Sequence, residues 1–109
     1  MRRILYPGGS LDTGDDIAAA VLEYARQLAR SETADTVLVP GRGVEGGTGS
    51  VEFLLGPASQ LVSEPLAFSG PEIEDAEFVR TLHQRASRLA GGPGRPDPFT
   101  GSDLPGATA

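Results

Sequence analysis

The stretch IAAAVLEYARQL, residues 17–28, decides the fold, because its apolar residues repeat with the period of an α-helix. The apolar positions share one helical face and are Ile17, Val21, Tyr24, Ala25 and Leu28. Charged and amide side chains occupy most of the other side. The pattern predicts an amphipathic helix with one face packed on a core.

Short apolar runs outside this helix predict strands. Residues 4–6 stop at a Pro-Gly-Gly sequence typical of a tight turn, and residues 35–40 include three β-branched residues and end at a proline. Residues 50–55 and 60–64 predict two more strands, separated by a Gly-Pro turn. We expect these later strands to form an antiparallel meander.

A second helix is indicated after these strands. Ser69, Pro71 and Glu72 are residues typical of a helix start. An apolar stripe with helical spacing follows, at Phe78, Leu82, Ala86 and Leu89. Gly91 suits the end of this helix.

The elements therefore follow the order β-α-β-β-β-α, which predicts a small α/β domain in residues 1–90 with a mixed four-stranded sheet. Its first two strands should be parallel, because a helical crossover joins them. Residues 91–109 are mostly Gly, Pro, Ser and Thr, so we expect a disordered tail.

Alternation along the strands leaves Leu38, Leu54 and Val62 as apolar residues on the second face of the sheet. Such a face has to be covered, so either the two helices lie on opposite faces or this face meets a partner. These three residues are the candidate interaction residues.

The triplet Asp12-Thr13-Gly14 resembles the catalytic loop of the aspartic proteases. That loop needs an extended chain after the glycine, whereas an alanine-rich helix follows here. We favour Thr13 as the N-cap of the helix, with Asp15 and Asp16 placed favourably at the positive end of its dipole. An aspartic-type hydrolase that uses Asp12 is the third and least favoured function.

The loop from Pro7 to Asp16 supports a second function, that of a small-ligand or divalent-cation-binding regulatory domain. Asp12, Asp15 and Asp16 would repel a phosphate, but their oxygens suit a hard cation. The sequence Gly41-Arg42-Gly43-Val44-Glu45-Gly46 has the spacing of a dinucleotide-binding loop, yet a strand follows it instead of a helix. We therefore expect no organic cofactor and no catalytic residues.

Composition narrows the choice of partners. The net charge is −6, which disfavours nucleic acid and anionic membranes, and no leader or membrane segment is evident, so we expect a cytoplasmic protein. There is no cysteine, and all nine basic residues are arginine, an actinobacterial-like composition. The preferred function is a non-enzymatic protein-interaction domain, most plausibly one that forms a homo-oligomer.

Overall fold

The computed structural model describes residues 1–43, 47–67 and 70–91. The elements in these ranges are β1 (Arg2–Tyr6), β2 (Gly9–Thr13), α1 (Asp15–Arg30), β3 (Asp35–Arg42), β4 (Thr48–Leu55), β5 (Val62–Pro65) and α2 (Ala76–Leu89). The predicted tail lies outside the described residues except for Gly91, as does the middle of the glycine-rich connection. No helix in the described part of the chain is long and apolar enough to cross a membrane.

The described strands form one antiparallel sheet in the order β4-β3-β2-β1-β5. The structure confirms the prediction of a small domain with one sheet and two helices. The prediction of a mixed sheet with four strands is wrong, because the sheet is antiparallel and has five strands. Residues 9–13 were assigned to a loop, whereas they return from the turn at Pro7 and Gly8 as β2 beside β1. Because of this extra strand, α1 connects the antiparallel neighbours β2 and β3.

The last strand also differs from the prediction. β5 pairs with β1, where Val62 lies opposite Leu5, and it does not continue a meander beside β4. The chain leaves β4 after Leu55 and crosses to the other edge of the sheet before β5 begins. β4 and β5 are therefore the two edge strands.

The core lies between one face of the sheet, the inner face, and α1. Buried residues alternate along the strands, as expected for a sheet with one covered face; they are Ile4, Leu11, Val37, Val39, Phe53 and Leu55. The helix α2 packs against α1 and buries Leu82 and Ala86. Both helices thus lie on one side, and the described residues leave the outer face uncovered.

The N-cap of α1 lies one residue later than predicted. Gly14 is the N-cap, and Thr13 is the buried last residue of β2, whose Oγ1 donates a hydrogen bond to the carbonyl oxygen of Pro40 at 2.7 Å. A Cβ on Gly14 would collide with the backbone carbonyl oxygen of Ile73. Close packing against this neighbouring segment therefore requires a glycine at the helix start.

The start of α2 was also predicted too early. The N-cap is Asp75, whose carboxylate accepts a hydrogen bond from the backbone amide of Phe78 at 3.0 Å. Glu72 caps the other helix instead, because its Oε2 accepts from the backbone amide of Asp15 at 2.7 Å. Residues 71–75 consequently form an irregular connection that joins the starts of the two helices.

Candidate interaction surface

The outer face of the sheet carries the three candidate interaction residues. Leu38, Leu54 and Val62 are 62%, 72% and 56% exposed, respectively. A single exposed leucine is ordinary on a protein surface, so the arrangement of these residues decides whether they form a site.

Leu38 and Leu54 lie together on the hairpin of β3 and β4. Leu38 is the cross-strand partner of Glu52, and Leu54 is the partner of Thr36. The two leucines are therefore diagonal neighbours on adjacent strands, within the distance at which such side chains make contact. We call Leu38 and Leu54 the hairpin patch.

A groove of about 310 Å³ lies beside the hairpin patch, between β3 and α2. β2 ends at Thr13 and its register meets β3 only near Arg42, so in the described part of the chain no strand lies beside the first half of β3 on that side. The side chains that matter most in its lining are Leu38, Glu52, Phe78, Thr81, Leu82 and Arg85. The groove therefore combines apolar walls with one carboxylate and one guanidinium.

Val62 belongs to a different part of the outer face. It lies in β5 opposite Leu5, whereas Leu54 lies in β4 at the other edge of the sheet. The structure brings together two of the three candidate residues and leaves Val62 apart from them.

A row of alternating charges crosses the outer face between these two places. The register sets Arg42 beside Asp12, Asp12 beside Arg3, and Arg3 beside Glu64. Arg3 donates to both carboxylate oxygens of Asp12, at 2.7 and 3.2 Å, and these hydrogen bonds raise the pKa of Arg3. This part of the outer face is polar, which confines the apolar surface to its two ends.

Of the three carboxylates proposed to bind a cation, Asp12 is separated from Asp15 and Asp16. Asp12 lies within β2 and pairs with Arg3, whereas Asp15 and Asp16 lie in the first turn of α1. Asp15 Oδ1 is 3.0 Å from the amino group of Met1. Within residues 1–43, 47–67 and 70–91, no group of three His, Cys, Asp or Glu side chains is arranged to hold a metal ion.

A cluster of polar side chains around Asp35 of β3 links α2 to α1 and β3 beside the groove. Asp35 Oδ2 accepts hydrogen bonds from the Tyr24 hydroxyl at 2.6 Å and from Arg85 at 3.1 Å, and Oδ1 accepts from the amide of Thr36 at 2.8 Å. The bond from Tyr24 lowers the pKa of Asp35 most, and the Thr36 amide and Arg85 add to the effect. Burial, followed by the hydrogen bond to Asp35, raises the pKa of Tyr24.

Sequence reasoning missed this cluster, because no motif connects its members. Arg85 is 50 positions from Asp35 in the chain, and Tyr24 is 11 positions from it. Its consequence for the surface is that Arg85 is held at the groove while its side chain stays 43% exposed.

Comparison with known proteins gives no information about this surface. No protein-family model, no curated protein and no solved structure matches this chain.

Proposed function

We propose that this chain is a non-enzymatic self-association domain and that two copies meet through the hairpin patch. The observation that supports the proposal is the exposure of Leu38 and Leu54, at 62% and 72%, side by side on a sheet face that the described residues leave uncovered. Apolar side chains grouped beside a groove and bordered by charged residues are typical of protein interfaces.

Burial of these leucines supplies the driving force. Full burial of one leucine contributes roughly 1.5–3 kcal/mol, and a two-fold interface contains each contact twice. A dimer therefore buries four leucines, and their combined contribution of roughly 6–12 kcal/mol opposes the roughly 4–15 kcal/mol that association costs in lost freedom.

Sedimentation velocity across the micromolar range tests this function. The wild-type chain should sediment with twice the mass of one chain, and Leu54→Ser should weaken the dimer. A loss of roughly 1.5 kcal/mol at each of two sites raises the Kd about 150-fold.

The matched control is Val62→Ser, which removes an exposed aliphatic residue from the same face outside the hairpin patch and should leave the Kd unchanged. A wild-type chain that stays monomeric at the highest concentration would overturn the proposal. Equal effects of Leu54→Ser and Val62→Ser would also overturn it, because they would show that the hairpin patch has no special role.

A further inference from the structure

The two edges of the sheet differ in how well they are protected against pairing with another strand. β5 is a short edge of four residues that carries Glu64 and ends at Pro65, and both features discourage further pairing. β4 is an edge of eight residues and contains no proline. No described strand lies beside β4 on the side away from β3. β4 is therefore the edge at which a further strand can be added.

The backbone of β4 directs hydrogen-bonding groups outwards at alternate residues. Pro40 has no N–H and lies opposite Ser50, so these two residues cannot exchange a pair of backbone hydrogen bonds. They form a non-hydrogen-bonded pair, in which the N–H and C=O of Ser50 point away from β3. Alternation gives Thr48 and Glu52 the same direction. Each of these three residues thus presents one donor and one acceptor along the free edge.

Two hydrogen bonds agree with this direction. The amide of Gly43 donates to the carbonyl oxygen of Gly47 at 3.3 Å, so the odd-numbered pairs of the hairpin are the hydrogen-bonded ones. The carbonyl oxygen of Leu54 accepts from Ser59 Oγ at 3.4 Å, which is a bond outside the pairing with β3. The turn that carries Ser59 occupies the edge beside Leu54. The free part of the edge therefore ends at Glu52.

A pocket lies at the Glu52 end of this free edge. Its volume is about 440 Å³, and its described lining includes Glu52, Phe53 and Leu54 of β4 but no residue of β3, which places it on the free side of the strand. Tyr6 and Phe53 meet there edge to face, with ring centroids 5.0 Å apart, and Leu61 adds an aliphatic wall. Since a cavity of about 150 Å³ holds a benzene molecule, the pocket has room for an aromatic side chain.

Glu52 gives this site its charge. It is the one charged residue among the described residues that line the pocket. It is exposed, and its carboxylate makes no hydrogen bond or ion pair with any described residue. The chain as a whole has a net charge of −6, which attracts cationic partners. The charge at the edge therefore favours a basic side chain beside Glu52.

We propose that β4 binds an extended peptide of another protein as an additional antiparallel strand, with an apolar side chain in the pocket and a basic side chain beside Glu52. The outward backbone groups of β4 recur every two residues, or about 6.6 Å, which is the repeat of a strand. Strand addition at a sheet edge obtains affinity from backbone hydrogen bonds and specificity from side-chain pockets. The inference goes beyond the proposed self-association and does not depend on it.

The antiparallel direction fixes the order of the two side chains in the peptide. The residue opposite Phe53 comes directly before the residue opposite Glu52, because the two strands run in opposite directions. Successive side chains point to opposite faces, so the first joins the Phe53 ring in the pocket and the second lies near the Glu52 carboxylate. The peptide motif is an apolar residue followed by a basic one.

Two other occupants fit this edge less well. β4 of a second copy has Glu52 as its single charged residue, so it offers no cation to the site. Arg95 is the one basic residue in residues 92–109, and it follows a glycine and lies among four prolines, which have no N–H for pairing. A basic peptide from another protein satisfies both the charge and the backbone of the edge.

Fluorescence anisotropy with a labelled synthetic peptide tests the side-chain contacts. The probe begins with phenylalanine and arginine and continues with alternating valine and threonine. It should bind the wild-type chain, and replacement of its arginine by glutamate should weaken binding about tenfold, because attraction to Glu52 becomes repulsion. Glu52→Arg should reverse the preference, so that the glutamate peptide binds more tightly than the arginine peptide.

Ser50→Pro tests the backbone pairing. It removes an N–H that points away from β3, so the pairing with β3 is kept while the added strand loses a donor, and binding should fall at least tenfold. Ser50→Ala keeps the N–H and is the matched control, which should bind like wild type. If circular dichroism shows that Ser50→Pro does not fold, a probe N-methylated at the threonine opposite Ser50 makes the same test from the side of the peptide.

The outcomes separate this proposal from self-association. A probe that fails to bind at millimolar concentration overturns it, as does equal affinity for the arginine and glutamate peptides. Equal binding by Ser50→Pro and Ser50→Ala overturns the strand pairing, and a wild-type dimer that Ser50→Pro abolishes would assign the edge to a second copy instead. A wild-type dimer that binds no probe refutes this inference alone, whereas a monomer that binds the probe refutes self-association alone.

Discussion

Removal of the Tyr24 hydroxyl should destabilise the domain by a measurable and pH-dependent amount. In Tyr24→Phe, the ring keeps its place in the core, and the 2.6 Å hydrogen bond to Asp35 is lost. A hydrogen bond to a charged group contributes roughly 1.5–3 kcal/mol. The Asp35 side chain is 37% exposed, so water replaces part of the lost bond, and we expect a cost of about 1–2 kcal/mol.

The pH dependence follows from the two pKa shifts. The pKa of Asp35 is lowered in the folded state, so its stabilisation is present above the unfolded value of about 3.9 and is lost as the pH falls through the folded value. The pKa of Tyr24 is raised, so its stabilisation is present below about pH 10 and is lost as the pH rises through the folded value. The difference in the free energy of unfolding between wild type and Tyr24→Phe should therefore be largest between about pH 4 and about pH 10.

Urea unfolding followed by circular dichroism, repeated from acidic to alkaline pH, measures this difference. The expected change corresponds to a Tm lower by about 5–10 °C for a domain of this size. Tyr6→Phe is the matched control, because the Tyr6 ring packs edge-on against Phe53 and its hydroxyl has no hydrogen-bond partner among the described residues. A Tyr24→Phe variant as stable as Tyr6→Phe, or a difference that does not vary with pH, would refute the reasoning.

Two further predictions concern the start of α1. Gly14→Ala should cost about 2 kcal/mol or more in unfolding free energy, because its Cβ meets the carbonyl oxygen of Ile73, whereas Gly43→Ala, with open space around it, should cost less than about 0.5 kcal/mol. Thr13→Val removes the donor to the Pro40 carbonyl in a buried site, and we expect a loss of about 1–3 kcal/mol by thermal or urea unfolding. Equal stability of Gly14→Ala and Gly43→Ala would contradict the close contact at Gly14. An unchanged free energy of unfolding in Thr13→Val would contradict a stabilising role for the hydrogen bond to Pro40.

The parts of the fold that follow from local periodicity could be predicted from the sequence. The apolar stripe from Ile17 to Leu28 marks α1, and alternation marks β3 and β4. β2 was missed because its five residues contain one large apolar side chain, Leu11, between polar neighbours. Those polar neighbours are also typical of a helix start, so the sequence favoured Thr13 as a helix N-cap. In the structure, backbone pairing with β1 makes residues 9–13 a strand instead.

The candidate surface was predictable in part for the same reason. Alternation alone placed Leu38 and Leu54 on the outer face of the sheet. The groove beside them was not predictable, because it depends on where α2 packs, and Phe78 and Arg85 lie far from β3 in the chain. Val62 was assigned to the same face correctly, but the sequence did not show that its strand pairs at the opposite edge.

The modest burial of α2 has a consequence for the cooperativity of the domain. α2 buries two side chains, Leu82 and Ala86, whereas α1 buries seven, so of the two helices α2 should open at the lower free energy. Since α2 also forms one wall of the groove, a partner seated there holds the helix closed. Amide hydrogen exchange in α2 should therefore slow as protein concentration rises, while exchange in α1 stays constant.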